Sequence, residues 1–294
     1  MASQSAAQAA RPQLLGLVRH AFGDQYQVDR EVGRGGDARV FLAVDRAGQK
    51  VALKILHPEF LESVAADRFL REIRLVSKLN HPHIARLLDS GERDWFVYLA
   101  TTFIDGPSLR EVLGRGRRLS VSDTLRLACD LLGALDHAHQ FGIVHRDVKP
   151  ENVIISRERG AILVDFGIAR AIVTSISKEI TRTGITVGSS AYMSPEQING
   201  DQDIDCRSDL YSLGCVLFEC LAGRPPFVRS REVVVLQLHL SEPAPDVRSL
   251  RPDVPPDLAS AINKALAKLP GERWQSAAEM RAGLASCPGA AFTS

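Results

Sequence analysis

The chain lacks most features that would tie it to a special environment. Its charges nearly cancel, since 36 lysines and arginines against 35 aspartates and glutamates leave +1 over 294 residues. That balance gives no electrostatic reason to expect a nucleic-acid partner or an acidic membrane surface. No apolar run approaches the ~18 to 20 residues that span a bilayer, so no membrane segment is expected in this chain. The opening "MASQSAAQAARPQ" has neither a basic stretch nor an apolar core, which argues against a secretory signal. Five cysteines occur, Cys129, Cys206, Cys215, Cys220 and Cys287, without CxxC or zinc-finger spacing. A scattered, odd set reads as reduced thiols in a cytoplasmic protein. No internal repeat is visible.

What is present is an ordinary globular composition, with a change of pattern along the chain. Residues 1–25 read as a flexible N-terminal extension, although Leu14, Leu15, Val18 and Phe22 fall at roughly helical spacing and could dock a short helix. From Tyr26 the pattern turns to strands, "QYQVDREVG" and "RVFLAVDRAGQKVALKIL", broken by glycine turns. In "VALKIL" the period of two sets Val51, Leu53 and Ile55 on one face, and Ala52 and Lys54 on the other. "AADRFLREIRLVSKL" reads as a helix with Phe69, Ile73, Val76 and Leu79 in its apolar stripe and Glu72 at the stripe's edge. After Asp105 the chain becomes mainly helical. "SVSDTLRLACDLLGALDHAHQFG" opens on a serine cap and closes near Gly142, and "SDLYSLGCVLFECLAG" is apolar almost all round, which predicts a buried central helix. The expectation is an α+β fold of two lobes, a small β-rich one over 26–104 and a larger helical one over 105–285, with a tail from 286 to 294.

Three stretches carry chemistry. "VGRGGDARV" places Gly33, Gly35 and Gly36 between two strands, where backbone N–H groups can approach phosphate without interference from Cβ. Lys54 and Glu72 together suggest an ion pair that holds an ammonium against phosphates. "HRDVKPEN", residues 145–152, is the strong signal, and "VDFG" follows it with Asp165. Phosphoryl transfer needs a carboxylate for the acceptor proton, a cation on the γ-phosphate and oxygen ligands for a divalent metal.

With these motifs in order, and with "SPE", "SDLYSLG" and a late "PGERW", the chain resembles the Hanks-type serine/threonine protein kinases of bacteria from about Tyr26 to about Leu284. The resemblance implies the bilobal protein-kinase fold and transfer of the ATP γ-phosphate to Ser or Thr hydroxyls of protein substrates, with Mg²⁺ or Mn²⁺. It makes Asp147 the catalytic base and Lys149 the γ-phosphate cation, with Asn152 and Asp165 as metal ligands. It places ATP against Val32, Gly33, Arg34, Gly35, Gly36, Val40, Ala52, Lys54 with Glu72, Thr101 as gatekeeper, Thr102, Ile104, Glu151 near the ribose, and Ile154. Asp209 is implied to anchor the catalytic loop, and Glu196 with Arg273 to form a structural ion pair. Thr181 and Thr183 resemble autophosphorylation sites whose phosphate would pair with Arg146, and a homodimer for trans-autophosphorylation is a further implied partner. Three positions depart from the family pattern: Ala38 for the third glycine, "SPE" for APE, and Gly188-Ser189 for Gly-Thr. The competing readings are a pseudokinase scaffold, which should have lost Asp165, Asp147 or Lys54, a small-molecule phosphotransferase, which should lack the long segment from Asp165 to Glu196, and a binding module recruited through its N-terminal tail.

Overall fold

A computed structural model describes residues 14–35, 38–56, 73–166 and 189–287, with the backbone alone at Ser189. The chain divides into two compact units, one of residues 1–77 with 86–104 and one of residues 78–85 with 105–294.

The first unit is a five-stranded antiparallel sheet. Its strands are β1 (Tyr26–Arg34), β2 (Ala38–Asp45), β3 (Lys50–Leu56), β4 (Leu87–Arg93) and β5 (Phe96–Thr102), in the order β1-β2-β3-β5-β4. The β-branched and aromatic residues of these segments suit a pleated surface, and the period of two makes its faces unlike. Val51, Leu53 and Ile55 of β3 are buried with Phe41, Ala43, Tyr98 and Ala100 in one apolar cluster. The register puts the other set together. Val40 lies opposite both Gly33 and Lys54, and Ala52 lies opposite Leu42 and Thr101.

Part of the expected flexible extension is folded. Residues 14–22 form a helix, α1, whose Val18 and Phe22 are fully buried in the cluster of Val51, Leu53 and Ile55. Phe22 meets Tyr98 edge-on, with ring centroids 4.9 Å apart. Arg19 donates from Nε to the carbonyl of Val28 at 3.0 Å, and Asp89 Oδ2 accepts from Gln25, Tyr26 and Tyr98 at 2.7, 3.0 and 2.8 Å. Arg93 adds an ion pair to Asp24 at 2.7 Å. The correction has a plain cause: the helical spacing of Leu14, Leu15, Val18 and Phe22 is an apolar stripe, and its partner is the far face of the sheet. A second helix, α2, follows at residues 73–76, where Ile73 and Val76 are buried as expected.

In the second unit, α3 (Leu109–Leu113) and α4 (Val121–Gln140) precede the hairpin β6 (Val153–Ser156) and β7 (Gly160–Leu163). Then come α5 (Pro195–Asn199), α6 (Cys206–Ala222), α7 (Glu232–Ser241), α8 (Pro256–Ala265) and α9 (Ala277–Ala285). Ser120 caps α4 by accepting the Asp123 N–H, and Gly142 leaves the helix at φ 72°. Helix α6 is buried from Ser208 to Ala222, which accounts for its all-round apolar sequence and for Cys215 and Cys220. Arg273, 1% exposed, meets Glu196 with two parallel bonds of 2.7 and 2.8 Å. That forked geometry is the one in which a buried pair can offset its desolvation.

Two stability predictions follow from this packing. Phe22→Ala, measured by urea unfolding, is expected to cost about 3–5 kcal/mol by cavity formation, and a value below about 1 kcal/mol would show α1 to be peripheral. His239 is fully buried, with Tyr211 Oη 2.8 Å from Nδ1. Burial and then Lys268 push its pKa down to about 3. Because the folded value lies below the unfolded one, the unfolded chain binds the extra proton as pH falls below 6.5, and stability is lost in that direction. Between pH 7 and 5 the loss should be on the order of 2 kcal/mol, and His239→Gln should flatten it in denaturation curves at the two pH values.

Candidate active site

The site is organised from a buried carboxylate outward. Asp209 sits in the first turn of α6 and is 1% exposed. Its Oδ2 accepts the His145 N–H and its Oδ1 the Arg146 N–H, each at 2.8 Å, and His139 Nε2 donates to Oδ2 at 2.8 Å. A carboxylate out of water needs such donors, and here backbone amides supply two of the three.

Those bonds hold an unusual backbone. Arg146 has φ +64°, a left-handed conformation that costs a residue with Cβ about a kcal/mol or more. Its N–H is fixed by Asp209, and its carbonyl accepts from Gln197 Nε2 at 2.8 Å. Gln197 belongs to the capping box of α5, in which the Ser194 side chain accepts the Gln197 N–H. The start of α5 is thereby tied to the loop that carries Asp147. His145 ties the other side. Its Nδ1 accepts from the Asp147 N–H at 3.2 Å and its Nε2 lies 3.0 Å from the Val164 carbonyl. The amide on Nδ1 places the proton on Nε2, which donates to that carbonyl, and full burial lowers the imidazole's pKa, so the ring is neutral. The ring also packs on Phe166 at 4.7 Å.

Beyond this support lie the candidate catalytic groups. Lys149 Nζ is 2.8 Å from Asp147 Oδ2. Asn152 Nδ2 donates to the same oxygen at 2.9 Å and to the Asp147 carbonyl at 2.8 Å. These two bonds fix the amide of Asn152 and leave its oxygen as the ligand end. The Val164 N–H donates to the Asn152 carbonyl at 2.9 Å, which sets Asp165, at φ +57°, next to it in the chain. Asn and Asp oxygens are the hard donors that a divalent ion such as Mg²⁺ takes, usually with few protein ligands, so this pair fits a divalent metal.

In the first unit, Gly33, Val40, Ala52, Lys54 and Thr101 share one sheet face by register, opposite the face covered by α1. Gly35 closes the glycine turn by donating its N–H to the Ala38 carbonyl at 2.9 Å. Val32 is exposed, the Arg34 side chain pairs with Glu31 at 3.3 Å, Thr102 ends β5, and Ile104 is buried. Gly36, Glu72, Thr181 and Thr183 lie outside the described residues. So does the side chain of Ser189.

A second network went unforeseen. Arg110 of α3 donates from Nε to Glu151 Oε1 and from one terminal nitrogen to Glu219 Oε1, both at 2.7 Å, and its other terminal nitrogen meets Tyr192. Tyr192 in turn donates to Glu219. Burial pulls the guanidinium down, yet its bonds to Glu219 and Glu151 more than offset that and raise its pKa. Glu151, assigned from sequence to a ribose, is thus bound to Arg110 in this structure. Ile154, paired with Ile162 in the hairpin, is half-buried. Nothing in "SLREVL" signals the arrangement, since Arg110 and Glu219 are far apart in the chain. Gln197 could have been found, because Ser194 three residues before it is a capping-box pattern.

Asp209→Asn turns one carboxylate oxygen into a donor facing a backbone N–H. The expected cost is about 2–4 kcal/mol, measured by thermal unfolding, and unchanged stability would remove Asp209 from its supporting role.

The protein kinase domain model matches residues 26–283. A probable serine/threonine-protein kinase of Streptomyces coelicolor is 40% identical over 272 residues, covering 90% of this chain and 40% of that protein. The serine/threonine-protein kinase PknB of Mycolicibacterium smegmatis is 40% identical over 268 residues, covering 89% and 42%. The chain therefore spans about two fifths of the length of these curated relatives. Among solved structures, the kinase domain of Mycobacterium tuberculosis PknI superposes with a TM-score of 0.69 at 30% identity, covering 88% of this chain and 94% of that one. Rad53 shares the fold, with a TM-score of 0.73 at 24% identity, covering 92% of this chain and 66% of that one. No helix among the described residues is long and apolar enough to cross a membrane. The chain belongs to the protein kinase family, as a catalytic domain of the Hanks type found in bacteria.

Proposed function

We propose that this domain transfers the γ-phosphate of ATP to Ser or Thr hydroxyls of protein substrates in the cytoplasm, with Mg²⁺ or Mn²⁺. The observation that carries the reading is the arrangement of Asp147, Lys149 and Asn152 around one carboxylate oxygen. Asp147 accepts the proton of the acceptor hydroxyl as the oxygen attacks phosphorus. Lys149 keeps its ammonium at that carboxylate and at the transferring group. Asn152 and Asp165 hold the metal, which when bound neutralises charge on the phosphates. Lys54, on the sheet face shared with Val40 and Ala52, steadies the nucleotide. Most of the rate gain on this account is positioning and fixed charge.

The segment from Asp165 to Glu196, the activation segment by resemblance to the family, supplies the regulation. Thr181 and Thr183 are the proposed autophosphorylation sites, modified in trans within a homodimer, and their phosphates order the segment through Arg146. Support comes from the bond between Gln197, just past the segment, and the Arg146 carbonyl.

Asp147→Asn and Lys54→Met, assayed with ATP, Mg²⁺ and a generic protein substrate, should each lose at least a hundredfold in turnover. Phosphosite mapping on the same proteins should find phosphothreonine at 181 and 183 only in the wild type. Full turnover in Asp147→Asn rejects that residue as the base, and equal phosphate on both proteins rejects autophosphorylation.

A further inference from the structure

Away from the catalytic turn, the second unit gathers a cluster of arginines. Three segments meet there: 114–119, 220–224 and 247–251. They contain Arg115, Arg117, Arg118, Arg224, Arg248 and Arg251, and neither a lysine nor a carboxylate. In a chain whose net charge is +1, this is a local excess that overall balance conceals.

The three segments are built against one another. The Leu119 N–H donates to the Cys220 carbonyl at 2.8 Å, and Arg118 Nε donates to the Ala222 carbonyl at 3.2 Å. Arg251 bonds to the Leu119 carbonyl. Gly116 and Gly223 both have positive φ, 88° and 78°, and a Cβ on Gly223 would stand 2.6 Å from the Gly116 oxygen. Close approach of these two loops requires glycine at that point. The arginines therefore ride on fixed backbone, not on a free run of chain.

Two nearby carboxylates are engaged elsewhere, and two are held by the cluster's own residues. Asp123 pairs with Arg126 at 2.7 Å, Asp253 with Arg251 at 3.2 Å, and Glu111 closes the Ser108 cap of α3. Asp246 accepts the backbone N–H of Arg248. Arg115, Arg117, Arg118, Arg224 and Arg248 are exposed and form no ion pair among the described residues. Helix α3 joins this cluster to the active site, with Arg110 bonded to Glu151 at its start and Gly114 at its end.

We propose that this arginine patch docks carboxylate-rich segments of the kinase's protein substrates. The inference rests on the kinase reading above. Guanidinium forks match carboxylates two bonds at a time, and a patch of arginine without lysine suits that recognition. Single-stranded nucleic acid would call for aromatic platforms, and Phe218 and Phe227, the aromatics nearest these segments in the chain, are both buried. Docking on fixed positive charge raises the encounter rate and local concentration of an acidic substrate, so KM falls while kcat stays unchanged.

The test has two arms. In the first, a fluorescent Asp/Glu-rich twelve-residue peptide is titrated with the full chain at 50 and 300 mM NaCl. Wild type should bind, with affinity falling at least tenfold at the higher salt. The triple variant Arg115→Glu, Arg117→Glu, Arg224→Glu should bind at least tenfold more weakly than wild type at low salt, with an unchanged melting temperature. In the second arm, a Ser/Thr peptide with an acidic tail should show a KM at least fivefold below that of its neutral-tailed twin at equal kcat, and the variant should erase only that difference. Equal binding by wild type and variant overturns the proposal, as does equal KM for the two peptides, or tighter binding of a single-stranded oligonucleotide than of the peptide. Absence of phosphorylation of either peptide by wild type strikes the kinase reading instead, and the binding arm remains readable in that case.

Discussion

The second unit depends on one carboxylate. Asp209 is buried at the start of a helix that is itself buried for fifteen residues, and it accepts from two successive backbone amides and a histidine. Those amides belong to His145 and Arg146, immediately before the candidate base. A loop in a left-handed conformation would otherwise relax, since a single such residue carries a cost comparable to a hydrogen bond. Charge-assisted bonds from a desolvated carboxylate are strong enough to hold it. The strain at Arg146 and the burial of Asp209 are two sides of one arrangement.

From that fixed point the rest of the site follows by short links. His145 passes the constraint to Val164 and Phe166, and so to the residue that precedes Asp165 and the one that follows it. Gln197 passes it to the end of the activation segment. Arg110 fastens the Pro150–Asn152 turn to α6 and to Tyr192 through Glu151 and Glu219. Asp147, Lys149 and Asn152, the proposed catalytic and metal-binding groups, are thus positioned by the residues around them. In the first unit the analogous device is the two-faced sheet, sealed by α1 on one side and carrying Lys54 on the other.

How much of this could be read from the sequence depended on distance along the chain. Short motifs and periodicities were legible: "HRDVKPEN", the alternation in "VALKIL", the capped helix after Ser120, and the buried helix after Asp205. Each is a local pattern with a local cause. The family resemblance extended that reach to Asp209 and to the Glu196–Arg273 pair, whose partners are 64 and 77 residues apart. What remained hidden were partnerships with no local mark. The helical spacing of Leu14, Leu15, Val18 and Phe22 was visible, but not its partners, because Tyr98 and Asp89 lie more than sixty residues further along the chain. Glu151 looked like a ligand contact because nothing near Arg110 announces that it will take that carboxylate. The arginine patch escaped notice for the same reason, since its three segments are far apart in the chain.

Asp209 holds the loop that carries Asp147 in place before any nucleotide arrives. Native-state amide hydrogen exchange of the nucleotide-free protein tests it most directly, read at His145 and Arg146. Both amides should exchange only with global or near-global opening, as slowly as the core of α6. Exchange at the rate of exposed loop amides would contradict it, and would mean that the loop is shaped by its ligands instead.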